Sequence, residues 1–192
     1  MTEAFARFDA FPHWDPAQWS PQFPPGRLDR IYLHWSGGDH ETVYTAYHYC
    51  IAMSQGRIAI VETNDLRANM RDVSDTAQSY AAHTFGRNGF AAGLSVMAMR
   101  DARPDDFGPF PMTQAQIDAM CLVARRLARA YHVPVDPAHV MTHAEAALVD
   151  GYYGTGDDER WDIARLTASD DPLLPGDARQ TGDALRARIL GS

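Results

Sequence analysis

The chain has 192 residues, 45% hydrophobic and 22% charged, which excludes a disordered or low-complexity protein and fits one domain with short extensions. Its 17 basic residues against 25 acidic ones leave a net charge of −8, opposite to the basic surface that a nucleic-acid binder presents. All of the basic residues are arginine, so a lysine catalyst is ruled out.

Residues 1–30 are dense in proline and aromatics, among them Trp14, Trp19 and Phe23. Such a stretch forbids a long helix or a central strand. It predicts an irregular arm packed across the domain, with Trp14 or Trp19 open to a substrate-binding role. Arg7 and Asp9 interrupt its apolar residues, so it does not read as a secretion signal. No stretch reaches the roughly 20 apolar residues of a membrane span. The expectation is cytoplasmic synthesis without membrane insertion.

The run IYLHW at 31–35, closed by Ser36, Gly37 and Gly38, predicts a buried strand and a sharp turn. YHYCIAM at 47–53 and RIAIV at 57–61 flank a Ser-Gln-Gly loop and predict a hairpin. GLSVMAM at 93–99 and VMTH at 140–143 predict two more strands. Between them, 113–131 carries an apolar stripe through Ile117, Met120, Cys121, Ala124, Leu127 and Tyr131, headed by a Thr113–Gln116 capping box. Arg125, Arg126 and Arg129 lie off that stripe and predict a solvated helix face. After Asp170 the pattern thins, with a short terminal helix expected over 182–190. Strands alternating with helices give an α/β or α+β class with one central sheet. Cys50 and Cys121 sit in apolar runs and read as small buried hydrophobes.

Eight histidines are present. His13, His40, His132 and His139 lie in polar or turn-like surroundings. His34 and His143 each stand at the end of a short apolar run beside a loop, where a sheet presents groups to a ligand. A neutral imidazole there suits zinc, although a lone histidine at a strand end is more often a hydrogen-bonded structural residue.

Read together, IYLHWSGG, AYHYCIAMSQGRI, AAHTFGRNGFAAGLSV, TQAQIDAMCLVARRLARAY, VMTHAEAA and RWDIARL occur in an order that resembles the zinc-dependent N-acetylmuramoyl-L-alanine amidases. That family shares its fold with the peptidoglycan recognition proteins. The similarity spans about residues 31–166 and is greatest to compact phage-endolysin-like members.

The resemblance implies a mixed central sheet flanked by helices, with the arm at 1–30, the zinc amidase domain at 31–168 and a C-terminal extension at 169–192. It implies Zn2+ held by His34, His143 and Asp162, with a fourth position open to water as a catalytic zinc requires. Tyr47 matches the family tyrosine beside the metal, and His83 and Asn88 match residues lining the substrate groove. Glu145 matches an acid expected to orient a ligand or cap backbone. Two positions depart from the pattern. Ser95 stands where recycling amidases carry a glutamate base, and serine takes no proton unaided. Arg160 replaces the lysine of a K-x-D word and offers a fixed cation for an oxyanion. The implied activity is hydrolysis of the bond between N-acetylmuramic acid and L-alanine in peptidoglycan or muropeptides, in cell-wall lysis or recycling. Tyr47 and Arg160 would be the catalytic residues, and the enzyme is expected to be monomeric. The alternative is a non-catalytic peptidoglycan-binding module of the same fold.

Overall fold

A computed structural model describes residues 5–74 and 79–191. Its centre is a six-stranded mixed sheet. The strands are β2 (His13–Trp14), β3 (Arg30–Trp35), β5 (Tyr49–Ser54), β6 (Arg57–Glu62), β7 (Ala91–Val96) and β8 (Val140–Thr142). They lie in the order β2-β6-β5-β7-β3-β8. The inner pairs β5–β7, β7–β3 and β3–β8 are parallel, and β6 runs antiparallel to both β5 and β2. Two short strands, β1 (Phe5–Arg7) and β4 (Thr42–Tyr44), form a separate antiparallel ribbon. Three helices complete the fold: α1 (Gln114–Tyr131), α2 (His143–Asp150) and α3 (Pro175–Leu190). The protein is thus a mixed α/β fold with a central mixed sheet flanked by helices.

The strands at the centre are buried on both faces, which is why they read as continuous apolar runs rather than alternating ones. On one face Ile31, Leu33, Tyr49, Ile51, Leu94 and Val96 pack with Ile117, Met120, Val123, Ala124 and Leu127 of α1. The predicted capping box starts α1: the Thr113 hydroxyl accepts from the Gln116 amide, and His132 ends the helix in the left-handed conformation at φ 56°. Buried Gln116 then donates to the carbonyls of Ile51 and Met97, tying the helix start to the sheet.

The opposite face carries the chemistry. Side chains alternate along a strand, so Tyr32 and His34 of β3 point away from α1. The register places His34 beside Ser95, and Ser95 beside Cys50. Gly93 lies on the same face, where an added Cβ would sit 2.3 Å from Cγ of His83. Only glycine lets the imidazole lie against the strand.

Some elements differ from the sequence expectation. The arm contributes β2 to the sheet edge, and Trp19 is 1% exposed within the α1-side core against Phe23 and Tyr49, so it is not free for substrate. β7 begins at Ala91, two residues before the expected run. β8 stops at Thr142, and His143 opens a helix instead of closing the strand. The terminal helix starts at Pro175, a residue suited to the first helical turn, and not at 182. It packs on α1 and α2 and places Leu185 and Ile189 in the main core. Arg125 of α1 is half-buried rather than on a solvated face, and donates to the last carbonyls of α3, where a helix favours a cation.

Candidate metal centre

His34, 0% exposed, leaves the C-terminal half of β3. His143 is the first residue of α2, fixed by the box in which Thr142 and Glu145 cap each other's backbone. Asp162 lies on the loop after α2, and its carbonyl accepts from the Ala144 amide. The three side chains converge. Nδ1 of His34 is 3.1 Å from Nδ1 of His143, which is 2.9 Å from Oδ2 of Asp162. The third side, from His34 Nδ1 to Asp162 Oδ2, is 3.5 Å.

Ligands about 2.0–2.2 Å from a tetrahedral zinc must lie ~3.3 Å from one another. The triangle has that size. Its protonation also suits a cation. Burial lowers the His34 imidazole to about 4, against the pull of Asp162, so the ring is neutral at neutral pH. Burial alone would raise the Asp162 carboxyl, but the hydrogen bond and charge of His143, with His34 behind it, hold it well below the ordinary carboxylate range. Two imidazole nitrogens and a carboxylate oxygen therefore face one point, and among the described residues this is the one group of histidine, cysteine or acidic side chains with such spacing.

The other nitrogen of His34 faces Thr84, with Nε2 3.3 Å from Oγ1. Thr84 Oγ1 lies 2.9 Å from Nδ1 of His83. A Thr84 hydroxyl that accepts from His34 Nε2–H and donates to His83 leaves His34 Nδ1 bare for metal. Thr84 was not recognisable as a site residue beforehand; its only signal is adjacency to His83 in the AAHTFGRNGF run.

The triangle opens on a cleft of about 870 Å³, lined by His143 and Asp162 together with Trp35, Tyr47, Tyr80, His83, Phe85, Asn88, Tyr152, Asp158 and Arg160. Tyr47 sits with its ring 5.2 Å from that of His34, and its hydroxyl donates to the Trp35 carbonyl at 3.4 Å. Burial raises the phenol well above its ordinary value, so at neutral pH Tyr47 is a proton donor and not a base. Arg160 lies on the cleft wall, but its exposed guanidinium donates to the carbonyls of Asp157 and Glu159 on its own loop. Asn88 accepts from the amides of His83 and Thr84 and so holds the loop that carries them. His83 is buried against Gly93 with one edge in the cleft.

Several acids and histidines are accounted for elsewhere. Ser95 is fully buried, 3.5 Å from the Val96 carbonyl, and brings no acid to its position. Glu145 is bound bidentately by Arg186. Glu41 bonds Arg7 and Ser54. The carboxylates lining the cleft are Asp158 and Asp162. His13, His40 and His139 bond Phe11, Pro111 and Asp136 respectively.

No protein-family model matches the chain, and no curated protein matches it. Among solved structures it is similar to a complex of the N-acetylmuramyl-L-alanine amidase AmiD from E. coli with anhydro-N-acetylmuramic acid-L-Ala-D-gamma-Glu-L-Lys, at 17% identity and a TM-score of 0.38. The similarity covers 66% of this chain and 52% of that one, so the chain spans about half the length of the protein it is compared with.

Proposed function

We propose that the chain is a zinc-dependent amidase that hydrolyses the bond between N-acetylmuramic acid and L-alanine in peptidoglycan or its muropeptides. The observation that carries this reading is the triangle of His34 Nδ1, His143 Nδ1 and Asp162 Oδ2, with sides of 2.9–3.5 Å, at the wall of an open cleft. The ordered sequence words that resemble the amidase family supply the choice of substrate. Zinc held by those atoms would polarise the scissile carbonyl and lower the pKa of a water.

The chain's own groups divide the rest of the work. His34 is kept neutral by burial, and Thr84 sets which of its nitrogens faces the metal. Tyr47 keeps its proton and can donate it as a hydrogen bond to the carbonyl oxygen as charge develops there. Arg160 adds a fixed cation on the cleft wall once its loop carbonyls yield to the substrate. Tyr80, Phe85 and Tyr152 give the cleft aromatic surfaces for sugar and peptide. With Ser95 in place of an acid, the proton of an attacking water would be left to solvent in the open cleft or to Asp158 on its wall.

The test joins elemental analysis to a muropeptide-release assay. The purified protein should carry about one zinc per chain. It should release peptide from muropeptides, stop when chelated, and lose zinc in His143→Ala. Full zinc occupancy in that variant overturns the ligand assignment. Binding of peptidoglycan without hydrolysis by the zinc-loaded protein overturns the enzymatic reading in favour of a binding module.

A further inference from the structure

Two of the three metal-facing side chains are held from behind by α3, an element with no residue in the cleft. Arg186 of α3 is 6% exposed. It donates to Oε2 and Oε1 of Glu145 at 2.9 and 2.8 Å, and to the Val140 carbonyl at 2.9 Å. The same Glu145 oxygen that Arg186 binds, Oε2, accepts from the Thr142 amide at 3.0 Å. One buried guanidinium therefore grips the first residue of β8 and the cap of α2, the short strand and the helix between which His143 emerges. One turn earlier on α3, Gly182 lies flat on the Glu145 carboxylate: an added Cβ would stand 2.2 Å from Cδ and Oε2 and 2.3 Å from Oε1. Any side chain there must displace the carboxylate.

The adjacent residue of α3 reaches the other ligand. The Thr181 hydroxyl donates to the Ala164 carbonyl at 2.8 Å, two residues beyond Asp162. Between them Ile163 holds a left-handed φ of 59°, a conformation that a β-branched residue adopts only when its surroundings enforce it. Near the start of α3, Asp177 pairs with Arg165 at 2.7 Å, anchoring the far end of the same segment.

We propose that α3 is a clamp that presets the metal triangle, with Arg186 and Gly182 as positioning residues for His143 and Thr181 for Asp162. The inference rests on the metal reading above and adds the source of the site's rigidity. His34 needs no such support because the sheet holds it. Partners that orient metal ligands from outside typically change metal affinity by roughly 10–100-fold when lost, and the same range is expected here.

Zinc affinity by chelator competition, and the visible absorption of the cobalt(II)-loaded protein, would be measured for wild type, Gly182→Ala, Thr181→Val and Arg186→Lys. Urea denaturation of each metal-free protein runs alongside. Gly182→Ala and Thr181→Val should weaken zinc roughly 10–100-fold and alter the cobalt spectrum. Arg186→Lys, which keeps the charge but loses the two-pronged grip, should fall between them and wild type. Thr181→Val is nearly isosteric and serves where the other variants fail to fold. Variants that lose stability yet keep wild-type zinc affinity and cobalt spectrum overturn the clamp and leave α3 as an ordinary packing helix. Wild-type protein that takes up neither metal overturns the metal reading itself.

Discussion

Acid should destabilise the metal-free protein through His48, and the size of the effect follows from its surroundings. His48 is 0% exposed and sits one residue after Tyr47. Its Nδ1 accepts the Gly93 amide at 3.0 Å. Burial disfavours the charged ring and lowers it to about 4 from an ordinary 6.5, against the pull of Asn69, and a proton on Nδ1 would also set donor against donor with the Gly93 amide. The folded value lies below the unfolded one, so the neutral ring's contribution is complete above about pH 6.5 and is lost as the pH falls towards 4. Between about pH 7 and pH 5 the loss from this residue is about 2 kcal/mol, set against a total stability of roughly 5–15 kcal/mol. His34 and His83 are lowered as well and add to the slope in the same direction. Asp162 is not involved in this window, because its lowered carboxyl gives up stability only below the usual carboxylate range. In His48→Asn the amide oxygen can still accept from Gly93, so the variant removes the titration while keeping the bond. Urea denaturation in chelator across this range should show the variant losing about 2 kcal/mol less than wild type on acidification, whatever its offset at pH 7. Equal slopes for the two proteins would refute the argument that a neutral buried His48 couples folding to pH.

Gly93→Ala should cost about 1–3 kcal/mol or more by overpacking, since its Cβ would stand 2.3 Å from His83 Cγ; chemical denaturation reads this directly, and a neutral result would mean that the loop at 82–88 moves freely. Tyr47→Phe should change stability by about 1–2 kcal/mol, because its hydroxyl makes a 3.4 Å bond to the Trp35 carbonyl and a hydrogen bond with Ser95, yet lower muropeptide turnover roughly 10–100-fold at equal zinc content. An unchanged rate reduces Tyr47 to packing. Arg160→Ala should leave the denaturation midpoint almost unmoved, as expected of an exposed side chain, while slowing turnover, and Ser95→Ala should retain most activity. The reverse pattern in a steady-state assay would show that the buried serine, and not the arginine, serves the reaction.

Local chemistry wrote much of this structure openly into the chain. α1 was legible because its stripe and its Thr113–Gln116 box are short-range features, and each depends only on residues a turn apart. β3 was legible as a short apolar run stopped by Ser36, Gly37 and Gly38. His34 stood out as the polar residue within it, and the family resemblance added its partners. What spacing could not supply was proximity. His34 and His143 are 109 positions apart and Asp162 a further 19, so their meeting depends on the parallel pairing of β8 with β3 and on how α2 leaves that strand. α3 was half hidden because Pro175, Gly176 and Gly182 weaken the helical pattern, and Gly182 is explained only by the carboxylate lying against it. Arg186 carries no sequence signature, and Thr84 none beyond its place next to His83. A threonine hydroxyl and one arginine among 17 come to lie behind the candidate metal site only when the fold, by burying them, leaves His34 and Glu145 as their partners.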